Sequence, residues 1–258
     1  MIKIYRNKNN QIIGKMILGN CLEVVPTLKE DIEIAVTSPP YNLFATVSKN
    51  RREDYIEKNW YDDFKSEYIY QAEQKELIKQ LLKVCNSSIF YNHKIRYAWH
   101  SRNTYRGASK MYHPLQWLLD FPIWCEIIWD RGIPARTVPK RYHIKDERIY
   151  QIGKPKYSNE KYNCGNIWRI QPTQNSTHPC SFPVDIPARA ALYTTKENDY
   201  ILDPYIGSGT TAIAAIRNNR RFIGIENNTE FFNLACKNIE LELAKDRQQG
   251  LSFGGLHE

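Results

Sequence analysis

The sequence predicts a doubly wound α/β fold built on a mostly parallel sheet. Short apolar stretches alternate along the chain with segments of helical apolar spacing, the order expected of strands joined by crossover helices. The stretch "DIEIAVTS" is largely apolar after Glu33, as a parallel strand covered on both faces should be. A glycine turn, "PYIGSGTT", follows the strand "DYILD" and opens a helix, at the strand end where such sheets meet ligands.

Taken in order, "QIIGKMILGNCLEVVPTL" reads as a strand, a turn at Gly19-Asn20 and a short helix closed near Pro26. Residues 45–66 are polar, charged and aromatic with poor periodicity, the mark of a long functional loop. "YIYQAEQKELIKQLLKV" has helical spacing and "SSIFYN" is a strand. "HPLQWLLD" is a short helix with Pro114 in its first turn, and "WCEIIW" is another strand. Then comes a block with Pro134, Pro139 and Pro155 and little periodicity. From "VDIPARAALYTT" onward the order is helix, "DYILD", glycine turn, helix, the strand "RRFIGIE" and a last helix, with a frayed tail.

At 258 residues, 42% apolar and 25% charged, the chain has room for one α/β domain with an insertion or for two small domains. No apolar run reaches the length of a membrane span, and the first residues lack the apolar core of a signal peptide. The six cysteines form no C-x-x-C pair, so reduced thiols in a cytoplasmic protein are expected, with no disulfide and no metal. The net charge of +8 is concentrated: between Arg131 and Arg169 ten Lys/Arg face three acids, interleaved with Tyr142, Tyr150, Tyr157, Tyr162 and Trp168. That mixture suits phosphates and stacked bases, and a solvated basic surface is the plainer alternative.

In the glycine turn, Gly207 and Gly209 let backbone approach a ligand where a helix N-terminus offers amides. The pattern also fits a dinucleotide site, with Glu226 at the next strand end for ribose hydroxyls. Asp203 at the strand tip would repel a pyrophosphate and suit a cationic amine, which favours an amino-acid-bearing nucleoside over NAD. At "AVTSPPYNLF" two adjacent prolines fix φ twice and remove two backbone donors at the end of a strand, a rigid kink carrying Ser38, Tyr41 and Asn42.

With these motifs in place, the chain resembles the amino-methylating DNA methyltransferases of the β arrangement, in which the catalytic motif precedes the cofactor motif. "TSPPY" is similar to their catalytic motif and "DPYIGSGTT" to their S-adenosylmethionine loop, with Tyr205 where Phe is usual. "STHPCSFP" resembles their His-Pro…Pro segment, and "EIIWDRG" and "NIWRI" their tryptophan-bearing stretches. The resemblance spans about Gly19 to Asn238. It implies a Rossmann-like methyltransferase sheet with a catalytic part at 1–130, a basic target-recognition insertion at 131–169, an S-adenosylmethionine-binding part at 170–245 and a tail at 246–258.

The resemblance also implies residue roles. Ser38, Pro39, Pro40 and Tyr41 would be catalytic. Ser38 Oγ and the Pro39 carbonyl would accept the amine's N–H groups, localising a lone pair that the base ring otherwise delocalises. The nucleotide must be flipped out, and Tyr41 would stack on it while Asn42 buttresses the loop. Cofactor contacts would come from Asp203, Pro204, Tyr205, Gly207, Ser208, Gly209, Thr210, Glu226, His178, Pro179 and Phe182. Asn20 would join them, although the family commonly has Asp there, and a turn asparagine is the alternative.

Lys140, Arg141 and Lys145 are the candidate DNA contacts. His93, Lys94 and Arg96 could also meet phosphate, or simply end a strand. Ser before Pro-Pro is typical of cytosine N4 enzymes and Asp or Asn of adenine N6 enzymes, so cytosine N4 is the first reading and adenine N6 the alternative. Double-stranded DNA is the expected partner, with a cognate restriction endonuclease and a monomeric or homodimeric state. Competing classes are an RNA or protein-glutamine methyltransferase, an NAD-dependent oxidoreductase and a non-catalytic DNA-binding module.

Overall fold

The computed structural model describes residues 1–42, 65–98, 110–133, 142–172 and 182–252. Eleven strands are present among them: β1 (Ile2–Arg6), β2 (Ile12–Leu18), β3 (Ile32–Thr37), β4 (Ile89–His93), β5 (Arg96–Ala98), β6 (Lys110–Tyr112), β7 (Ile123–Asp130), β8 (Asp146–Ile152), β9 (Ile167–Arg169), β10 (Tyr200–Asp203) and β11 (Arg221–Glu226). The helices are α1 (Cys21–Val24), α2 (Glu67–Val84), α3 (Leu115–Leu118), α4 (Asp185–Thr194), α5 (Thr210–Arg217) and α6 (Thr229–Ser252).

Nine strands form one sheet in the order β1-β2-β11-β10-β3-β4-β8-β7-β9, and β5 pairs with β6 apart from it. The run from β2 to β4 is parallel throughout. β1 is antiparallel to β2, and β8 is antiparallel to both β4 and β7. Along the parallel strands alternate side chains enter opposite apolar layers, as a period of two requires. Ile34, Val36, Ile201 and Phe222 pack under α4, α5 and α6, against Ile186, Ala190, Ala215 and Phe232. Ala35, Leu202, Ile223 and Ile225 pack on the other face with Leu77, Ile78 and Leu81 of α2.

Helix α2 shows why its sequence folds so. Ser66 accepts from the Ile69 amide as N-cap, and Glu67 follows in the first turn. Its buried positions Tyr70, Gln74, Leu77, Ile78 and Leu81 recur at helical spacing. Fully burying each aliphatic residue of that stripe stabilises the fold by about 1.5–3 kcal/mol.

β10 and β3 are neighbours, with Leu202 opposite Ala35. From β10 the chain steps to β11 on one side, and from β3 to β4 on the other. Their carboxyl ends therefore flank the topological switch point, where open α/β sheets bind ligands.

The sequence expectation differs from the structure in several places. β1 gives little signal because it is an edge strand: Ile2 and Ile4 are exposed and only Tyr5 faces the core. Within the basic block, expected to lack regular structure, β8 lies inside the main sheet between β4 and β7, and β9 extends it at the edge. β8 is masked in the sequence because it buries the polar side chains of Glu147 and Gln151. α6 continues to Ser252, into the segment expected to fray. Most of the 45–66 loop, and Lys140, Arg141, His178 and Pro179, lie outside the described residues.

No helix among the described residues is long and apolar enough to cross a membrane. Five cysteines are described and all are free thiols. Burial pushes the Cys21 thiol up to about 11 and the Cys85 thiol up to about 12.

Candidate active site

At the tip of β10 the Asp203 carboxylate is buried and holds the glycine turn together. Oδ1 accepts from the Tyr205 amide at 3.0 Å and Oδ2 from the Thr211 hydroxyl at 2.5 Å. Burial pushes Asp203 up to about 7, against the opposing pull of these donors. Gly207 and Gly209 have φ of 52° and 93°, left-handed values that other residues adopt at a cost. Gly209 is the N-cap of α5, and a Cβ there would sit 3.4 Å from Ala235 of α6. Ser208 Oγ lies 3.3 Å from Thr210 Oγ1, and the Ser208 carbonyl accepts from Asn238 Nδ2 at 2.9 Å.

Glu226, at the tip of β11, is 3% exposed. Its carboxylate accepts from the Gly207 amide at 3.1 Å and the Asn228 amide at 2.9 Å, and burial raises its pKa. Asn20 caps α1, its Oδ1 accepting from the Leu22 amide at 3.1 Å. The helix-turn role is thus shown for Asn20, which also lines the adjoining cleft. Asn20, Pro40, Pro204, Tyr205, Glu226 and Asn227 line that one cleft. Phe182 is placed differently, 7% exposed in the apolar layer beneath α4.

The Pro-Pro turn leaves β3 and is gripped from behind by α2: Tyr70 Oη donates to the Pro40 carbonyl at 2.8 Å. Asn42 adopts φ of 51° and donates from Nδ2 to the Lys65 carbonyl at 2.9 Å, the buttress expected of it. Arg96 forks onto Glu67 at 2.8 and 2.5 Å. His93 Nε2 lies 2.7 Å from Tyr70 Oη, and burial together with the Arg96 charge holds its pKa well below the ordinary histidine value.

These contacts correct the expectation that His93 and Arg96 could meet phosphate. His93 is fully buried and Arg96 is 2% exposed, so both are scaffold. Lys94 instead places its ammonium 4.8 Å from the Tyr41 ring centre, a cation–π contact.

Beside the turn, Ser38 and Tyr41 meet two side chains that sequence reasoning missed, Asn92 and Glu147. Ser38 Oγ is 2.8 Å from Tyr41 Oη and 3.0 Å from Asn92 Oδ1. Tyr41 Oη is 2.7 Å from Asn92 Oδ1 and 3.0 Å from Glu147 Oε2. Arg131 donates to the other Glu147 oxygen at 2.8 Å. Asn92 lies near the end of β4 and Glu147 near the start of β8, so two strands supply polar groups opposite the proline kink. The one available signal was an asparagine at the end of the apolar run "SSIFYN".

Of the DNA candidates, Lys145 is described: it immediately precedes β8. Its carbonyl accepts from the Arg131 amide at 2.8 Å, which puts it at the same end of the sheet as Tyr41 and Glu147. Among the block's other basic residues, Arg131, Arg148 and Arg169 are paired with carboxylates. Among the described residues, no group of three or more His, Cys, Asp or Glu is placed to hold a metal.

Adjacent strand tips carry a glycine turn on one and a proline-held hydroxyl on the other, an arrangement suited to group transfer from a nucleoside cofactor. Buried carboxylates beside left-handed glycines, rather than a cationic cradle, fit an amino-acid-bearing nucleoside. The DNA methylase family model covering N6 and N4 enzymes matches residues 32–237, and the chain belongs to that family of S-adenosylmethionine-dependent DNA amino-methyltransferases.

The chain is 26% identical over 267 residues to the type II methyltransferase M2.DpnII of Streptococcus pneumoniae, covering 94% of each. It is 34% identical over 138 residues to M2.LlaDCHI of Lactococcus lactis subsp. cremoris, covering 46% of this chain and 51% of that one. Among solved structures, the cytosine-N4-specific PvuII DNA methyltransferase shares the fold with a TM-score of 0.67 at 16% identity, over 93% of both chains. TTHA0409 of Thermus thermophilus, solved in complex with S-adenosylmethionine, does so at 0.61 and 21%, over 88% of this chain and 93% of that one.

Proposed function

We propose that this enzyme methylates cytosine N4 in duplex DNA, with Ser38 Oγ and the Pro39 carbonyl accepting the N–H groups of the flipped base's amine. When bound, S-adenosylmethionine supplies a methyl carbon made electrophilic by its sulfonium. The protein's task is to localise the amine lone pair and aim it, using acceptors that need no reorganisation. Pro39 and Pro40 hold those acceptors, and Tyr70 fixes the turn from behind. Tyr41 offers the ring on which the extruded base stacks.

On the cofactor side, Asp203 is assigned to the methionine amine, Glu226 to the ribose hydroxyls, and Asn20, Pro204 and Tyr205 to the walls of the cleft. His178 and Pro179 are assigned to its methionine end, and Gly207, Ser208, Gly209 and Thr210 to the cradle, while Phe182 is left to the packing beneath α4. The observation that supports this reading is the adjacency of β3 and β10, with Pro40 of one motif and Pro204 and Tyr205 of the other lining one cleft. Lys140, Arg141 and Lys145 are proposed to grip DNA phosphates, Lys145 from its place immediately before β8. We place the protein in the cytoplasm as a monomer or homodimer, alongside a restriction endonuclease of matching specificity.

Cytosine N4 is preferred over adenine N6 because Ser38 is a small uncharged acceptor of the kind typical of cytosine enzymes. The test is mass spectrometry of nucleosides from duplex DNA incubated with the purified protein and isotope-labelled S-adenosylmethionine. N4-methylcytosine is expected. N6-methyladenine without N4-methylcytosine would overturn the base assignment, and an unlabelled duplex would overturn the reaction.

A further inference from the structure

Ser38 presents a problem that an aspartate in its place would not. A hydroxyl is both donor and acceptor, and it accepts an amine N–H well only if its own proton points elsewhere. The structure supplies a place for that proton. Asn92 Nδ2 donates to the Arg148 carbonyl at 3.0 Å, which fixes the amide so that Oδ1 turns toward Ser38. Oδ1 lies 3.0 Å from Ser38 Oγ and is a pure acceptor. Tyr41 also reaches Oδ1, at 2.7 Å, but has a second acceptor in Glu147, which Arg131 holds in place.

We propose that Asn92 is a positioning residue: it takes the Ser38 proton and leaves the Ser38 lone pairs facing the target amine. This rests on Ser38 being an amine acceptor, as argued above. Asn92 is 2% exposed near the end of β4, so the acceptor is rigid and shielded from competing water. The division of protons is simple. In this assignment the Tyr41 hydroxyl, which lies 2.8 Å from Ser38 Oγ and 2.7 Å from Asn92 Oδ1, turns its proton to Glu147, the Ser38 hydroxyl donates to Asn92, and the remaining Ser38 lone pair serves the entering amine.

The test is a double-mutant cycle in single-turnover methyl transfer, with S-adenosylmethionine binding and thermal melting read on every variant. Asn92→Ala is expected to lower the transfer rate about tenfold at unchanged cofactor affinity. In a Ser38→Ala background, where no hydroxyl needs orienting, the same change should cost less than about twofold. Asn92→Asp guards against a merely structural effect. It keeps an oxygen facing Ser38 but loses the donor to the Arg148 carbonyl, so stability should fall while the rate stays within about threefold of wild type.

Equal losses from Asn92→Ala in both backgrounds would overturn the proposal, as would rates that simply track melting temperature. A Ser38→Ala enzyme of wild-type rate would remove the acceptor role of Ser38 itself and this inference with it. A slow Ser38→Ala enzyme with an additive Asn92→Ala effect would remove the inference alone.

Discussion

The hydroxyl of Tyr41 lies 3.0 Å from the carboxylate of Glu147, across 106 residues of sequence. One partner follows the proline kink and the other lies near the start of β8, within the basic block. The residue assigned to hold the extruded base is thereby tied to the segment assigned to hold the DNA.

Tyr41 carries two separable properties, a ring and a hydroxyl. Stacking of a base on an aromatic side chain is worth about 1–3 kcal/mol, and the ring alone supplies it. Tyr41→Phe is expected to keep methyl transfer within about tenfold of wild type, whereas Tyr41→Ala should lose roughly a hundredfold or more. Steady-state kinetics on duplex DNA would decide; equal losses in the two variants would mean that the hydroxyl contacts matter and the ring does not.

With Asp203 assigned to the methionine amine, cofactor affinity is expected to depend on pH. Its carboxyl is pushed up to about 7 by burial, so below that pH the free protein holds a proton there. A cationic amine prefers the ionised form, and the proton must leave before the pair can form. S-adenosylmethionine affinity should therefore rise with pH up to about 7, by at most about tenfold per pH unit, and fall again above about 8 as the free cofactor's amine loses its proton. Calorimetry over about three pH units centred on neutrality tests this. Asp203→Asn should bind more weakly and lose the rise; a wild-type profile in that variant would detach Asp203 from the amine.

Neutralising Lys140, Arg141 and Lys145 together should weaken DNA binding and flatten its salt dependence. Each lost phosphate contact lowers the log–log slope by roughly 0.9. Fluorescence anisotropy across a salt series gives the slope, and an unchanged one would make these residues ordinary surface.

Gly209→Ala adds a Cβ at φ of 93° and 3.4 Å from Ala235. The left-handed conformation alone should cost about 1–2 kcal/mol of stability. Urea unfolding would register this as a lower midpoint at unchanged slope, and a wild-type midpoint would mean that the turn relaxes freely.

The parallel strands and the two motifs were legible in the sequence because each is dominated by local rules. "IEIAVT" and "RFIGIE" are apolar enough to demand cover on both faces, Pro39 and Pro40 fix their own backbone, and Gly207 and Gly209 mark a turn that only a permissive backbone makes easily. β8 was not legible, since Glu147 and Gln151 look like surface until Tyr41, Arg131 and Ser88 are found beside them. Asn92 and Tyr70 escaped for the same reason. Their roles exist only through partners brought close by the sheet order, and no spacing along the chain announces them.

The sheet order has one more consequence, for how the chain comes to be folded. β2 and β3 are consecutive strands, yet β11 and β10 lie between them. On a ribosome, the first two strands of the parallel run must wait with open edges until the glycine turn and the last helix have been synthesised. Pairings of such sequence separation are slow to form and expose apolar strand edges meanwhile. A nascent or truncated polypeptide that ends before β10 can therefore carry "TSPPY" only on the β3-β4-β8-β7-β9 half of the sheet, with the β3 edge open where β10 would pair.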